Sequence, residues 1–214
     1  MKDLYLTLIL VVIFICTIWI GFLVTNYNKK EKYNLLNHFP FEMKSESLKL
    51  TLIFRFTLAL FCGICSIASI ILLFVNGTYL LERFLSCLLV FNSFMLVNLF
   101  VIDMHSYKSH LFNSVIFMVI NLLSYFLLFY LPIRDDFVYY SLFILITSLI
   151  VFLTIMVLLF LPTLKKWYII KYDEKNQEKR GKLLPLALIE WINIFLYVLI
   201  YILIAINYLL FIYK

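Results

Sequence analysis

Charge is scarce in this chain of 214 residues: Asp, Glu, Lys and Arg together make 14% of it, against about 25% in an ordinary soluble domain. With 65% of the residues hydrophobic, a water-soluble fold of this size would have too little polar surface to cover its core. Glycine is limited to 4 residues while Phe, Tyr and Trp reach 19%. Close small-residue helix contacts of the GxxxG kind are therefore not indicated, and bulky surfaces suited to lipid or coarse packing are. The 4 prolines, Pro40, Pro132, Pro162 and Pro185, fall in expected loops or at the ends of apolar runs. No run then contains the internal proline that commonly kinks a helix. The 4 cysteines, Cys16, Cys62, Cys65 and Cys87, all lie within apolar stretches, which excludes reading them as an extracellular disulfide framework. Nucleotide-binding glycine loops, a zincin helix and a nucleophile elbow are also missing.

What the chain does have is long apolar runs. Six of them, at 4–25, 50–75, 80–102, 111–131, 137–161 and 186–213, are long enough to cross a hydrocarbon core, which takes about 20 helical residues. Helix is the expected conformation, because a barrel strand would show short alternating segments and need closure with many neighbours. The expected fold is all-α: a single polytopic membrane domain over 1–214 with six continuous helices. Asn76-Gly77-Thr78 and Ile133-Arg134-Asp135-Asp136 are short, turn-like links, so the second and third runs, and the fourth and fifth, should form tight hairpins. Asn76-Gly77-Thr78 also reads as a glycosylation sequon, but it lies close to the membrane, and turn chemistry accounts for it. No internal repeat is evident, since overlaying the first three runs on the last three matches a long loop to a short one. The first run is too long for a signal-peptide core and lacks a small-residue cleavage site, so it is expected to remain as a span.

Basic residues set the expected orientation. Of the 18 Lys and Arg residues, 13 fall in the loops after the first, third and fifth runs, including the basic loops 26–49 and 162–185. Cytoplasmic loops carry that excess, which places these loops inside, the hairpin turns outside and both termini outside. The net charge of +6 then points to anionic headgroups as partners rather than to nucleic acid. Leu164, Trp167, Tyr168, Ile169, Ile170 and Tyr172, interleaved with lysines, are expected to lie on the inner leaflet.

An ionisable group within a span is costly and marks a candidate site. Arg55 lies six residues past Lys49 and Glu190 five past Pro185, roughly 9 Å and 8 Å along their helices. Both should sit at shallow depth on the inner side, either as a pair, or as part of a polar cavity, or with Arg55 reaching headgroups. Glu190, Asn193, Tyr197, Tyr201 and Tyr208 fall within about 80° of one another on a helix, giving the last run one polar and aromatic face. This face is expected to be a packing or binding surface. Asn92, Asn98, Asn113 and Asn121 are expected to make helix-to-helix hydrogen bonds.

Two further clusters have chemical potential. Cys62-Gly63-Ile64-Cys65 has the spacing of a dithiol site, but apolar surroundings raise thiol pKa values, so a helix contact is the simpler role. Asp103, His105 and His110 in the third loop are weak candidates for a metal site or for acid–base chemistry. No cofactor is expected. Continuous spans, scarce intramembrane charge and the lack of a catalytic constellation point to a non-enzymatic plasma-membrane component that works through contacts with lipids and other membrane proteins. A small permease is the alternative, and a lipid-modifying enzyme at the inner leaflet comes third.

Overall fold

A computed structural model of the chain describes residues 36, 38–40, 48–75, 77–101, 107–134, 140–160 and 185–212. Side chains are not described at 48–51, 54, 107, 108, 185 and 208–212. The first apolar run, most of the first loop, Asp103, His105 and the fifth loop lie outside the described residues. Among those described, structure is helical and there is no strand. Five elements follow in order: α1 at Leu48–Ser69, continued by a π-helical turn at Ile70–Val75, α2 at Leu80–Val101, α3 at Tyr107–Arg134, α4 at Leu142–Phe160 and α5 at Pro185–Ile212. All five are long and apolar enough to cross a membrane.

The helices form because long apolar runs satisfy their own backbone groups and carry almost no breakers. Proline behaves somewhat differently from the expectation of span ends. Pro132 is inside α3, in its final turn, where a missing N–H frees one carbonyl near a helix end instead of in the middle of a ladder. Pro185 is the first residue of α5, the position where its fixed φ suits a helix and its lack of an N–H costs nothing. The second run is not one uniform α-helix, because its last six residues widen into a π turn. That widening ends the helix while keeping Leu72 and Leu73 buried.

α1 packs on α2 and α3 on α4, while position 76 of the first link and positions 135–139 of the second lie outside the described residues. In the first, Gly77 is required by crowding: a Cβ there would lie 2.1 Å from the carbonyl oxygen of Leu73 and 2.9 Å from Glu82 Oε2. Glu82, in the first turn of α2, accepts a 3.0 Å hydrogen bond from the backbone N–H of Tyr79. This is the return half of a capping box, and it satisfies an N–H just outside the helix. Tyr140 donates to the other carboxylate oxygen at 2.6 Å. α4 starts at Ser141, whose Oγ accepts from Ile144 N at 3.4 Å, an N-cap contact. The backbone N–H of Ser141 donates to Asn207 Oδ1 of α5 at 3.0 Å.

α5 is the most buried of the five helices and α4 the least. α3 packs against α2, α4 and α5, and the core is a continuous cluster that includes Leu85, Leu89, Leu96, Leu128, Ile144, Ile200 and Ala205. Outward positions are large and apolar, among them Phe56, Phe84, Phe94, Phe112 and Phe160. In water such a surface would aggregate; facing acyl chains it costs nothing.

Two glycines separate crowding from propensity. Gly77→Ala is expected to destabilise the protein by about 1–3 kcal/mol, because Leu73 O or Glu82 must move. Gly63→Ala, whose Cβ would meet nothing within 4 Å, should gain up to about 1 kcal/mol from helix propensity. Thermal unfolding of the two variants in the same detergent checks the contrast.

Candidate functional site: a polar seam along α5

The polar face of α5 turns inward. Glu190, Asn193, Tyr197 and Tyr201 are all at most 2% exposed, and each is tied to a neighbouring helix or to the helix's own backbone. Tyr208 has no described side chain.

At one end of the bundle, where α3 and α5 begin, Glu190 meets His110. Nε2 of His110 lies 3.2 Å from each carboxylate oxygen. One proton between the two groups lets each satisfy the other. The pair is sealed: His110 is 2% exposed, Glu190 is 1% exposed, and Phe39 lies edge-on to the imidazole with ring centroids 6.1 Å apart. Residues 38–40 are fastened over this end by Trp191, whose Nε1 donates to the carbonyl of His38 at 2.9 Å. Trp191 also packs edge-on against Phe100 of α2. Arg55 is half-exposed on α1 and is not among the partners of Glu190.

One turn farther along α5 is an asparagine cluster. Asn92 Nδ2 of α2 donates to Asn121 Oδ1 of α3 at 2.6 Å. Asn121 Nδ2 in turn donates to the backbone carbonyl of Asn193 at 2.9 Å. Asn193 Nδ2 donates to the carbonyl of Ile189 at 3.0 Å. Nearby, Tyr125 of α3 donates to the carbonyl of Leu196 at 2.6 Å.

Beyond the asparagines a hydroxyl chain joins three helices. Ser93 donates to the carbonyl of Leu89 at 2.9 Å, so its Oγ accepts from Tyr197. Tyr201 then donates to Tyr197 at 3.2 Å. Ser69 of α1 reaches both Tyr201 Oη, at 3.3 Å, and the carbonyl of Cys65, at 2.9 Å. At the far end Asn207 holds Ser141. α5 is thus hydrogen-bonded to α1, α2, α3 and the N-cap of α4.

The other candidates separate clearly. His110, assigned by sequence to a loop, is helical and buried in the bundle. Asp103 and His105 lie outside the described residues, and among the described residues no group of three or more His, Cys, Asp and Glu could hold a metal ion. Cys62 and Cys65 are buried in the apolar core, as a helix contact requires. Asn98 and Asn113 are partly exposed, unlike Asn92 and Asn121. A groove of about 470 Å³ between the π turn and α2 is lined by Ile70, Phe74, Ser86, Cys87, Val90, Phe91 and Phe94, which gives a charged solute no partner.

Ser114 and Tyr125 share a face of α3 with His110 and Asn121, the four falling within about 60°, as do Glu82, Ser86 and Ser93 on α2. Polar spacing along α2 and α3 thus carries the same signal as that along α5 and points to the serines and to Tyr125 as well.

Removing one member of a buried pair leaves the other without compensation. His110→Ala is expected to destabilise the protein by about 3 kcal/mol or more, while Arg55→Ala should stay within about 0.5 kcal/mol. Tyr197→Phe should cost roughly 0.6 kcal/mol, the average for an interhelical hydrogen bond in a membrane. Reversible unfolding in mixed micelles resolves these values; equal losses for His110→Ala and Arg55→Ala would contradict the assignment.

No family model matches the chain, and no curated protein and no solved structure is similar to it.

Proposed function

We propose that the chain is a six-span component of the plasma membrane, with both termini outside, that acts through contacts with other membrane proteins rather than by catalysis. A subunit, an assembly factor and a protective protein of the immunity type all fit this role. The observation that carries the reading is the inward turn of the α5 polar face. Its side chains are engaged in hydrogen bonds within the bundle, which leaves large apolar residues such as Phe56, Phe84 and Phe160 facing outward. A protein built this way offers neighbours a shaped apolar surface, and the basic loops 26–49 and 162–185 add attraction to anionic lipid.

The alternative, a small permease, draws on the buried His110–Glu190 pair, since ionisable groups at membrane depth commonly mark an ion or proton path. Arg55 would then contribute at the inner mouth. An inner-leaflet lipid-modifying enzyme has less support, because His110 is sealed beneath Phe39 and faces Glu190.

Capture of the intact protein in nanodiscs, followed by mass spectrometry of co-purifying proteins and lipids, tests the proposal. A stoichiometric membrane-protein partner is the expected result. Recovery of the protein alone with one defined small molecule or lipid would overturn it in favour of transport or lipid chemistry.

A further inference from the structure

The asparagine cluster contains two side-chain oxygens whose positions are fixed and whose hydrogen-bonding needs are met by no group among the described residues. The amide orientations are not interchangeable. Asn121 must present its NH₂ to the carbonyl of Asn193, since two carbonyl oxygens would repel. Its Oδ1 therefore faces Asn92, which must offer its own NH₂, and this turns Asn92 Oδ1 away from the contact. Asn193 is fixed in the same manner, because its NH₂ is claimed by the carbonyl of Ile189. Backbone carbonyls, which cannot flip, thus determine both assignments.

The consequence is that Asn92 Oδ1 and Asn193 Oδ1 are buried with no hydrogen-bond donor among the described residues, in residues that are 0% exposed. Both belong to residues hydrogen-bonded to Asn121. The hydroxyls of Ser114 and Ser124, on the same helix as Asn121, are also buried without partners. They lie seven residues before it and three after it, roughly 10 Å and 5 Å along the axis. A buried acceptor left without a donor carries its full desolvation cost, and a membrane interior offers no bulk water to relieve it.

We propose that this cluster is a binding site for water, held between α2, α3 and α5 and donating to Asn92 Oδ1 and Asn193 Oδ1. The chemistry of the site selects water over an ion. Two neutral amide oxygens meet the lower end of the two to four polar partners a buried water takes. A bare metal cation would need six or so oxygens and a compensating charge, whereas the nearby carboxylate, Glu190, is engaged by His110. The polar seam is then hydrated at the asparagines, between the His110–Glu190 pair and the tyrosine hydroxyl chain. This holds whether the protein acts as a scaffold or as a permease.

Water-edited solid-state NMR of the wild-type chain, labelled at asparagine, leucine and isoleucine and reconstituted in deuterated lipid, tests the site directly. Magnetisation from water is expected to reach the side-chain amides of Asn92, Asn121 and Asn193 at least about twice as fast as the methyl groups of Leu89 and Ile200, as befits bound water with several polar partners. Equal, slow transfer to all of them would show a dry cluster and overturn the proposal. Amide shifts that move when sodium is replaced by a large organic cation would also overturn it, by identifying the occupant as an ion.

Discussion

A polar group inside a bilayer has to find its partner within the protein, and in this chain α5 supplies most of those partners. Backbone groups are satisfied by helix formation alone, but the carboxyl and phenol groups of Glu190, Tyr197 and Tyr201 are not. Each gains a partner when α5 takes the centre of the bundle. His110, Asn121 and Tyr125 meet it from α3, Ser93 from α2 and Ser69 from α1. Apolar packing between helices gains little over packing against lipid tails. These hydrogen bonds therefore do what the hydrophobic effect does in a soluble core: they favour one arrangement of helices over others.

The two ends of the bundle are closed by different means. Where α3 and α5 begin, residues 38–40 are drawn in by Trp191 and cover the His110–Glu190 pair with Phe39. At the opposite end Glu82 gathers Tyr79 and Tyr140, while Asn207 holds the start of α4. α4 depends on that anchor more than its neighbours do, because it is the least buried of the helices. Its surface is largely outward and apolar.

Much of the fold was legible in the sequence, because helix length and apolarity are local properties. The runs beginning at 50, 80, 111, 137 and 186 correspond to α1–α5, and α1 packs on α2 and α3 on α4 as short connections between them require. Boundaries were less legible. Polar residues at 107–110 look like a loop when judged by hydropathy, yet they begin α3, and His110 reaches inward to Glu190 of α5. The face of α5 was readable from spacing alone. Its partners were not, since pairing Glu190 with His110 rather than with Arg55 depends on which helices touch. The π turn at Ile70–Val75 has no signal in a run of aliphatic residues. Orientation, the first run and the basic loops lie beyond the described residues.

The central claim is that α5 stands inside the bundle with its polar face against other helices. The most direct measurement is a nitroxide scan along positions 192–206 in lipid vesicles, comparing relaxation by oxygen, which concentrates in the bilayer, with relaxation by a water-soluble nickel complex. The account predicts high oxygen contact at Phe195, which is 47% exposed, and low contact with both reagents at positions 193, 197, 200, 201 and 205, recurring at the helical period. Oxygen contact at 193, 197 and 201 as high as at 195 would place α5 at the lipid boundary, and high nickel contact there would make its polar face the wall of an open aqueous path; either result would contradict the account.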